Sequence, residues 1–361
     1  MPSRLLEDLE LQARSATTPE NWSRAICRSA IHLARQGSYK EAHELIIRVR
    51  SAFGTELHID VASWVMLAEG VLHFTKSDSR QAYDRIRRAY GLAVALRTET
   101  ARPSCAAWMA LIEFNASQFD LMIAHLREVL ADAKPDDHNA RGRACLVLAD
   151  AFQVAGRYDL GRPWYEKTRL HATAEGDQST LSALLYNVAV FRTANVRLSD
   201  AFGILEVSDA KRAAMEANSS LSYDYAVGST SFTSVGPMLY GQLLAIERRF
   251  EDASKLLDTI IESNLRKTEI PILLCDRAWC YAMIGKISEA AEILPRAEVA
   301  LGDLKDSDDL AYAQSRLSQV SELCGDNEAA HRFSVKAHEA LAAHRTFQES
   351  LLVKLNSLNL L

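Results

Sequence analysis

Glycine and proline are scarce in this chain. Its 361 residues include 15 glycines and 8 prolines, about half the share that average usage of roughly 12% would give. Few chain-breakers mean few sharp turns, which excludes an all-β sandwich, a collagen-like repeat and low-complexity disorder. No stretch approaches 18 consecutive apolar residues, so no transmembrane helix is expected. The first residues, Met1 to Leu11, are interrupted by Glu7, Asp8 and Glu10 and do not read as a signal peptide. Charge of one sign is also lacking. With 41 Lys and Arg against 47 Asp and Glu, the net charge is −6, which offers no attraction to nucleic acid or an anionic membrane.

Signatures of chemistry are equally sparse. No phosphate-binding loop, dinucleotide fingerprint or Gly-x-Ser-x-Gly elbow occurs. His331 and His338 lie seven apart and Cys275 and Cys280 five apart, neither of which is zinc spacing. The six cysteines sit among apolar neighbours and read as reduced, buried thiols of a cytoplasmic protein. The chain is thus expected to be no enzyme and to hold no metal or cofactor.

Apolar residues are plentiful, at 48%, and their spacing is helical almost throughout. Leu181, Leu184, Leu185 and Val188 follow the 3-and-4 rhythm of a helix face, as do Leu274, Ala278, Tyr281 and Ala282. A turn signal recurs: Gly37-Ser-Tyr39, Gly156-Arg-Tyr158, Gly285-Lys-Ile287 and Gly325-Asp-Asn327, with Arg248-Arg-Phe250 as a variant without glycine. Aligning the chain on it yields a column at Ala42, Ala82, Met122, Gly161, Ala201, Ala253, Ala290 and Ala330. Twelve residues upstream stands a second column, Ala30, Gly70, Ala110, Ala149, Ala189, Gly241, Ala278 and Ser318, in which every residue is small. Helices that approach to about 8–10 Å tolerate only small side chains at the crossing. Two small columns at fixed spacing across a turn describe eight helical hairpins.

These units resemble tetratricopeptide (TPR) repeats: Leu148-Ala149 with Phe152, Gly156 and Tyr158 carries the pattern well, as does Tyr186-Asn187-Val188-Ala189. The resemblance spans residues 22 to 340. It implies an all-α, right-handed superhelical solenoid of about eight hairpins. The units are longer than the standard 34 residues, at 40, 40, 39, 40, 52, 37 and 40 between successive columns. Long units of this kind resemble the sensor regions of bacterial signalling proteins. HEAT and armadillo units share the length but not the turn.

Two breaks divide the array. Residues 218–237, rich in Ser, Thr and Gly, read as a polar insert between repeats one to five (1–217) and repeats six to eight (238–340). The end of the chain (341–361) continues one helix with an apolar stripe at Phe347, Leu351, Leu355 and Leu358. That stripe suits either a cap on the stack or a coupling helix that pairs two copies as a homodimer. In TPR arrays the first helix of each hairpin lines the concave groove. By register the resemblance puts Arg143, Asp150, Gln153, Tyr186, Asn187, Gln242 and Gln319 there as partner-binding residues. The expected role is a scaffold or regulatory adaptor in bacterial signalling that binds a protein or peptide. The alternative is a sensor of a small molecule or signalling peptide.

Overall fold

The computed structural model describes residues 3–54, 59–228 and 236–358, and among these there is no strand. A leading helix, α1 (Arg4–Ser15), precedes paired helices: α2 (Pro19–Gln36) with α3 (Tyr39–Phe53), α4 (Ile59–Thr75) with α5 (Ser79–Ala95), α6 (Ala101–Asn115) with α7 (Phe119–Asp132), and α8 (His138–Val154) with α9 (Tyr158–Glu175). Then follow α10 (Gln178–Ala201) with α11 (Val207–Val227), α12 (Gly236–Ile246) with α13 (Phe250–Asp258), α14 (Ile270–Met283) with α15 (Ile287–Ala300), and α16 (Ser307–Leu323) with α17 (Asn327–Asn356). No helix among the described residues is long and apolar enough to cross a membrane.

The turns explain why each pair folds back. Gly37, Gly156, Gly285 and Gly325 have φ of 92°, 72°, 81° and 83°, the left-handed conformation that glycine reaches without a steric penalty. Where the signal lacks glycine, Ser77, Ser117 and Arg248 take the same conformation at φ 62°, 56° and 64°. Each of these seven residues stands five before its member of the small column. The hairpins then pack as the columns require. Ser318 donates its hydroxyl to the carbonyl of Ala330 at 2.8 Å. A Cβ added to Gly70 would overlap Ile86, and one added to Gly241 would overlap Leu257, each four residues past the facing column. Ala42, Ala110, Ala149, Ala189, Ala253, Ala278 and Ala290 are fully buried.

Gly161 gives the sharpest test of this packing. A Cβ there would stand 3.0 Å from the carbonyl oxygen of Ala149, which is backbone and cannot swing away. Gly161→Val is expected to destabilise by about 1–3 kcal/mol through overpacking, read by thermal melting in circular dichroism. A midpoint within about 1 °C of wild type would show that α8 and α9 do not cross at this point.

The fifth hairpin departs from the sequence register. Ala201 is the last residue of α10, not a residue of the second helix. Between Val190 and Phe202 no glycine interrupts the helix, so α10 runs 24 residues and turns at Gly203, φ 71°. Ala189 therefore shares a core with Ala213 and Ala217 of α11, together with Val196, Leu243 and Ile246. The residue of the second helix that faces Ala189 thus lies in α11 and not at Ala201, and the extra length of this hairpin is helix in α10 before Ala201. Residues 218–227 of the polar stretch lie in α11, and residues 229–235 fall outside the described residues.

Within each unit the first helices of successive hairpins pack on one another and are termed inner helices. α2 contacts α4, α4 contacts α6, and α6 contacts α8; likewise α12 meets α14 and α14 meets α16. Their burial agrees: α8 buries 13 of its 17 residues whereas α9 buries five of 18. By contacts the chain forms two compact units. One comprises Met1–Leu184, Tyr223–Ser231 and Leu351–Leu361; the other comprises Leu185–Ser222 and Phe232–Ser350.

Candidate functional site

In the first unit, charged side chains on the inner helices converge. Asp177 caps α10, accepting from the backbone N–H of Thr180 at 3.0 Å. From α2, Arg35 donates to Asp177 Oδ2 at 2.9 Å and to the Thr180 hydroxyl at 2.8 Å. His32 Nδ1 lies 3.3 Å from the other carboxylate oxygen, and its Nε2 is 2.9 Å from the Ser3 hydroxyl. Arg28 pairs with Glu175 beside them. Burial opposes the charge on Asp177, yet Arg35, His32 and Thr180 together hold its carboxyl well below the usual range. These bonds tie α2 to the α9–α10 junction, more than 140 residues later.

Arg143 on α8 stands apart from this network. Only 8% of its surface is exposed, and its guanidinium lies over the Trp108 ring of α6, 4.2 Å from the centroid. Among the described residues no carboxylate pairs with it and no acceptor takes a hydrogen bond from its side chain. Burial, reinforced by the like charge of Arg35, pushes its pKa well below that of an ordinary arginine; Asp177 and Asp150 oppose the shift. The cation–π contact is worth about 2 kcal/mol when desolvated, less than the several kcal/mol that burying an ion costs. The arginine is held at a net cost. Asp150, by contrast, accepts from the buried Tyr165 hydroxyl at 2.7 Å, and Gln153 lies on the same helix at 9% exposure.

The second unit has its own polar interior. Asp276 on α14 accepts from Gln242 Nε2 at 2.9 Å and from the Tyr312 hydroxyl. Burial raises the Asp276 carboxyl above its ordinary range in spite of Arg197 and these two donors. Arg316 pairs with Asp200, stacks 4.5 Å from the Trp279 centroid and donates to Gln319 Oε1 at 2.7 Å. Gln319 in turn donates to the Ala201 carbonyl at 2.7 Å, and Arg197 pairs with Asp309. Tyr186 and Asn187 lie half-buried on α10. Burial pushes the Tyr186 phenol up to about 12, with Arg266 opposing.

The structure thus puts Arg143, Asp150 and Gln153 in one unit and Tyr186, Asn187, Gln242 and Gln319 in the other. Asp150, Gln242 and Gln319 are engaged in bonds within the chain; Arg143 has only its aromatic stack. Sequence reasoning missed the partners: Arg35, Asp177, Trp108, Asp200 and Arg316. The available signal was a charge set inside an otherwise apolar inner helix, as Asp276 is in Leu273-Leu-Cys-Asp276. Five cysteines are buried. Burial pushes the Cys145 thiol up to about 11 and that of Cys280 up to about 12, so neither is a ready nucleophile.

No family model matches the chain, and no curated protein does. The fold nevertheless has solved counterparts. The crystal structure of a Rap protein complexed with Competence and Sporulation Factor aligns with a TM-score of 0.58 at 12% identity, covering 94% of this chain and 99% of that one. The APC/C hetero-tetramer Cut9-Hcn1 aligns with a TM-score of 0.36 at 13% identity, over 97% of this chain and 73% of that one. The all-α, TPR-like helical-repeat fold is common to the Rap structure and this chain.

Proposed function

We propose that this chain is a non-enzymatic TPR-like adaptor that binds a partner protein or peptide through the inner face of its first helices, in bacterial cytoplasmic signalling. The observation that carries the reading is Arg143, a costly buried cation on that inner face with no counter-charge paired to it among the described residues. A Rap protein of the same fold was solved with Competence and Sporulation Factor, which supports a regulatory binding role. A second reading, a sensor of small molecules, draws on the depth of Arg143, of which only 8% reaches solvent.

Binding is tested at Tyr186, on an inner helix of the second unit. A partner captured from the native host by the tagged full chain is titrated calorimetrically against wild type and Tyr186→Ala, the variant first shown to be folded. Loss of an aromatic anchor is expected to weaken binding by about 2 kcal/mol or more. Unchanged affinity would sink the assignment of Tyr186 and point to the inner helices α4 and α6, which carry Leu67, Val71 and Leu111. A melting-temperature screen separates the second reading: metabolites that raise the midpoint, with no protein captured, favour the sensor.

A further inference from the structure

Among the described residues no acid is paired with Arg143, and its surroundings describe the group that would supply one. Arg143 is 8% exposed, yet its nitrogens are not among the buried polar atoms cut off from solvent without a partner. Having no hydrogen bonds of their own, they face what accessible space the residue retains. Trp108, itself 3% exposed, covers one face of the guanidinium and leaves the donor edge. That edge is the planar fork that matches an oxyanion through two parallel bonds. The fixed charges around it then limit the anion's valence. Arg143 and Arg35 supply two positive charges and Asp177 and Asp150 two negative ones, so these four groups together are near neutral. A single negative charge is accommodated there with less repulsion from Asp150 and Asp177 than a phosphate dianion.

We infer that the guanidinium of Arg143, backed by Trp108, is a receptor for one carboxylate group of a bound ligand. The inference rests on the inner-face binding role proposed above and gives the chemistry of its occupant. Two sources share that chemistry, a peptide carboxylate and a small organic acid. No bond is made or broken on binding. The carboxylate displaces water from the donor edge and completes the ion pair that the fold leaves open. Asp150 is held aside by Tyr165 and Asp177 by Arg35, which keeps both internal acids from collapsing onto Arg143.

The experiment follows the arginine side-chain Nε–Hε resonances of the full-length protein, with Arg143 assigned as the signal lost in Arg143→Lys. The probes are acetate, the free acid of an alanine tetrapeptide, and their amides, at constant ionic strength. The Arg143 signal is expected to shift saturably with the carboxylates and not with acetamide or the tetrapeptide amide. In Arg143→Met the half-saturating concentration, read by calorimetry, should rise about thirty-fold or more. That variant should also melt at or above the wild-type temperature without probe, because it removes an uncompensated buried charge. Tighter response to the tetrapeptide acid assigns the peptide source, and tighter response to acetate the organic acid; both support the site. A signal indifferent to every carboxylate, or equally moved by the amides, overturns it, as does an unaltered titration in a folded Arg143→Met. Such failure leaves the adaptor role standing or falling on the partner titration with Tyr186→Ala, a residue of the other unit.

Discussion

Asp200→Ala is expected to destabilise the protein by about 3–5 kcal/mol, the cost of breaking a buried ion pair by removing one partner. The Asp200 side chain is 1% exposed and that of Arg316 is 3% exposed. Without the carboxylate, Arg316 is left with Gln319 Oε1 at 2.7 Å, the rings of Trp279 and Tyr312 and the more distant Asp276, whose carboxyl burial raises above its ordinary range. Arg248, which also donates to Asp200 at 2.6 Å, is half in solvent and rehydrates at little cost. The double variant Asp200→Leu with Arg316→Met separates charge from shape. Apolar replacement of a whole buried pair is often neutral or stabilising, so the double variant should recover most of the loss. Urea denaturation read by circular dichroism gives both values. A single-variant loss under about 1 kcal/mol would mean that Arg316 reaches water once its partner is gone.

That pair also marks the limit of what the sequence could tell. A repeat pattern encodes contacts between neighbouring helices, and those were legible. Ser318 meets Ala330, Gly161 meets Ala149, and seven turns fall five residues before their column. The pattern failed at Ala201 because a missing turn leaves no mark when the helix continues in phase: Val196, Ala201 and Gly203 only make sense once α10 is known to run on. Contacts such as Arg35 with Asp177 and Arg316 with Asp200 join residues 142 and 116 apart. Their existence depends on how the small angles between successive hairpins accumulate, and side-chain spacing carries no record of that sum. For the same reason the register carries no sign of the bonds that Gln242 and Gln319 make inside the chain. The register put them on the inner face to meet a partner, and the structure gives them partners inside the chain.

The end of α17 carries the other large effect. Its stripe suits a cap or a dimerising helix equally well by pattern, but the structure buries Leu351 at 1%, Leu355 at 2% and Leu358 at 7% within the chain itself. In the same unit Lys354 pairs with Asp120 at the start of α7, and Arg127 donates to the Ser357 carbonyl at 3.2 Å. These residues fasten the last turns of the chain to a hairpin more than 200 residues earlier. Each buried leucine replaced by alanine typically costs about 2–5 kcal/mol. Leu351 and Leu355 stand one helical turn apart on the same helix, so their effects will not add fully. The double variant Leu351→Ala with Leu355→Ala is still expected to lose about 4 kcal/mol or more. Val353, 71% exposed on the opposite face, is the control: Val353→Ala should stay within about 0.5 kcal/mol of wild type. Light scattering of the same proteins decides the role of the stripe. A large loss of stability at constant molecular mass means the leucines hold the chain to itself. A wild-type dimer that becomes a folded monomer of undiminished stability would instead assign the stripe to a second copy, and would overturn the intramolecular docking of α17.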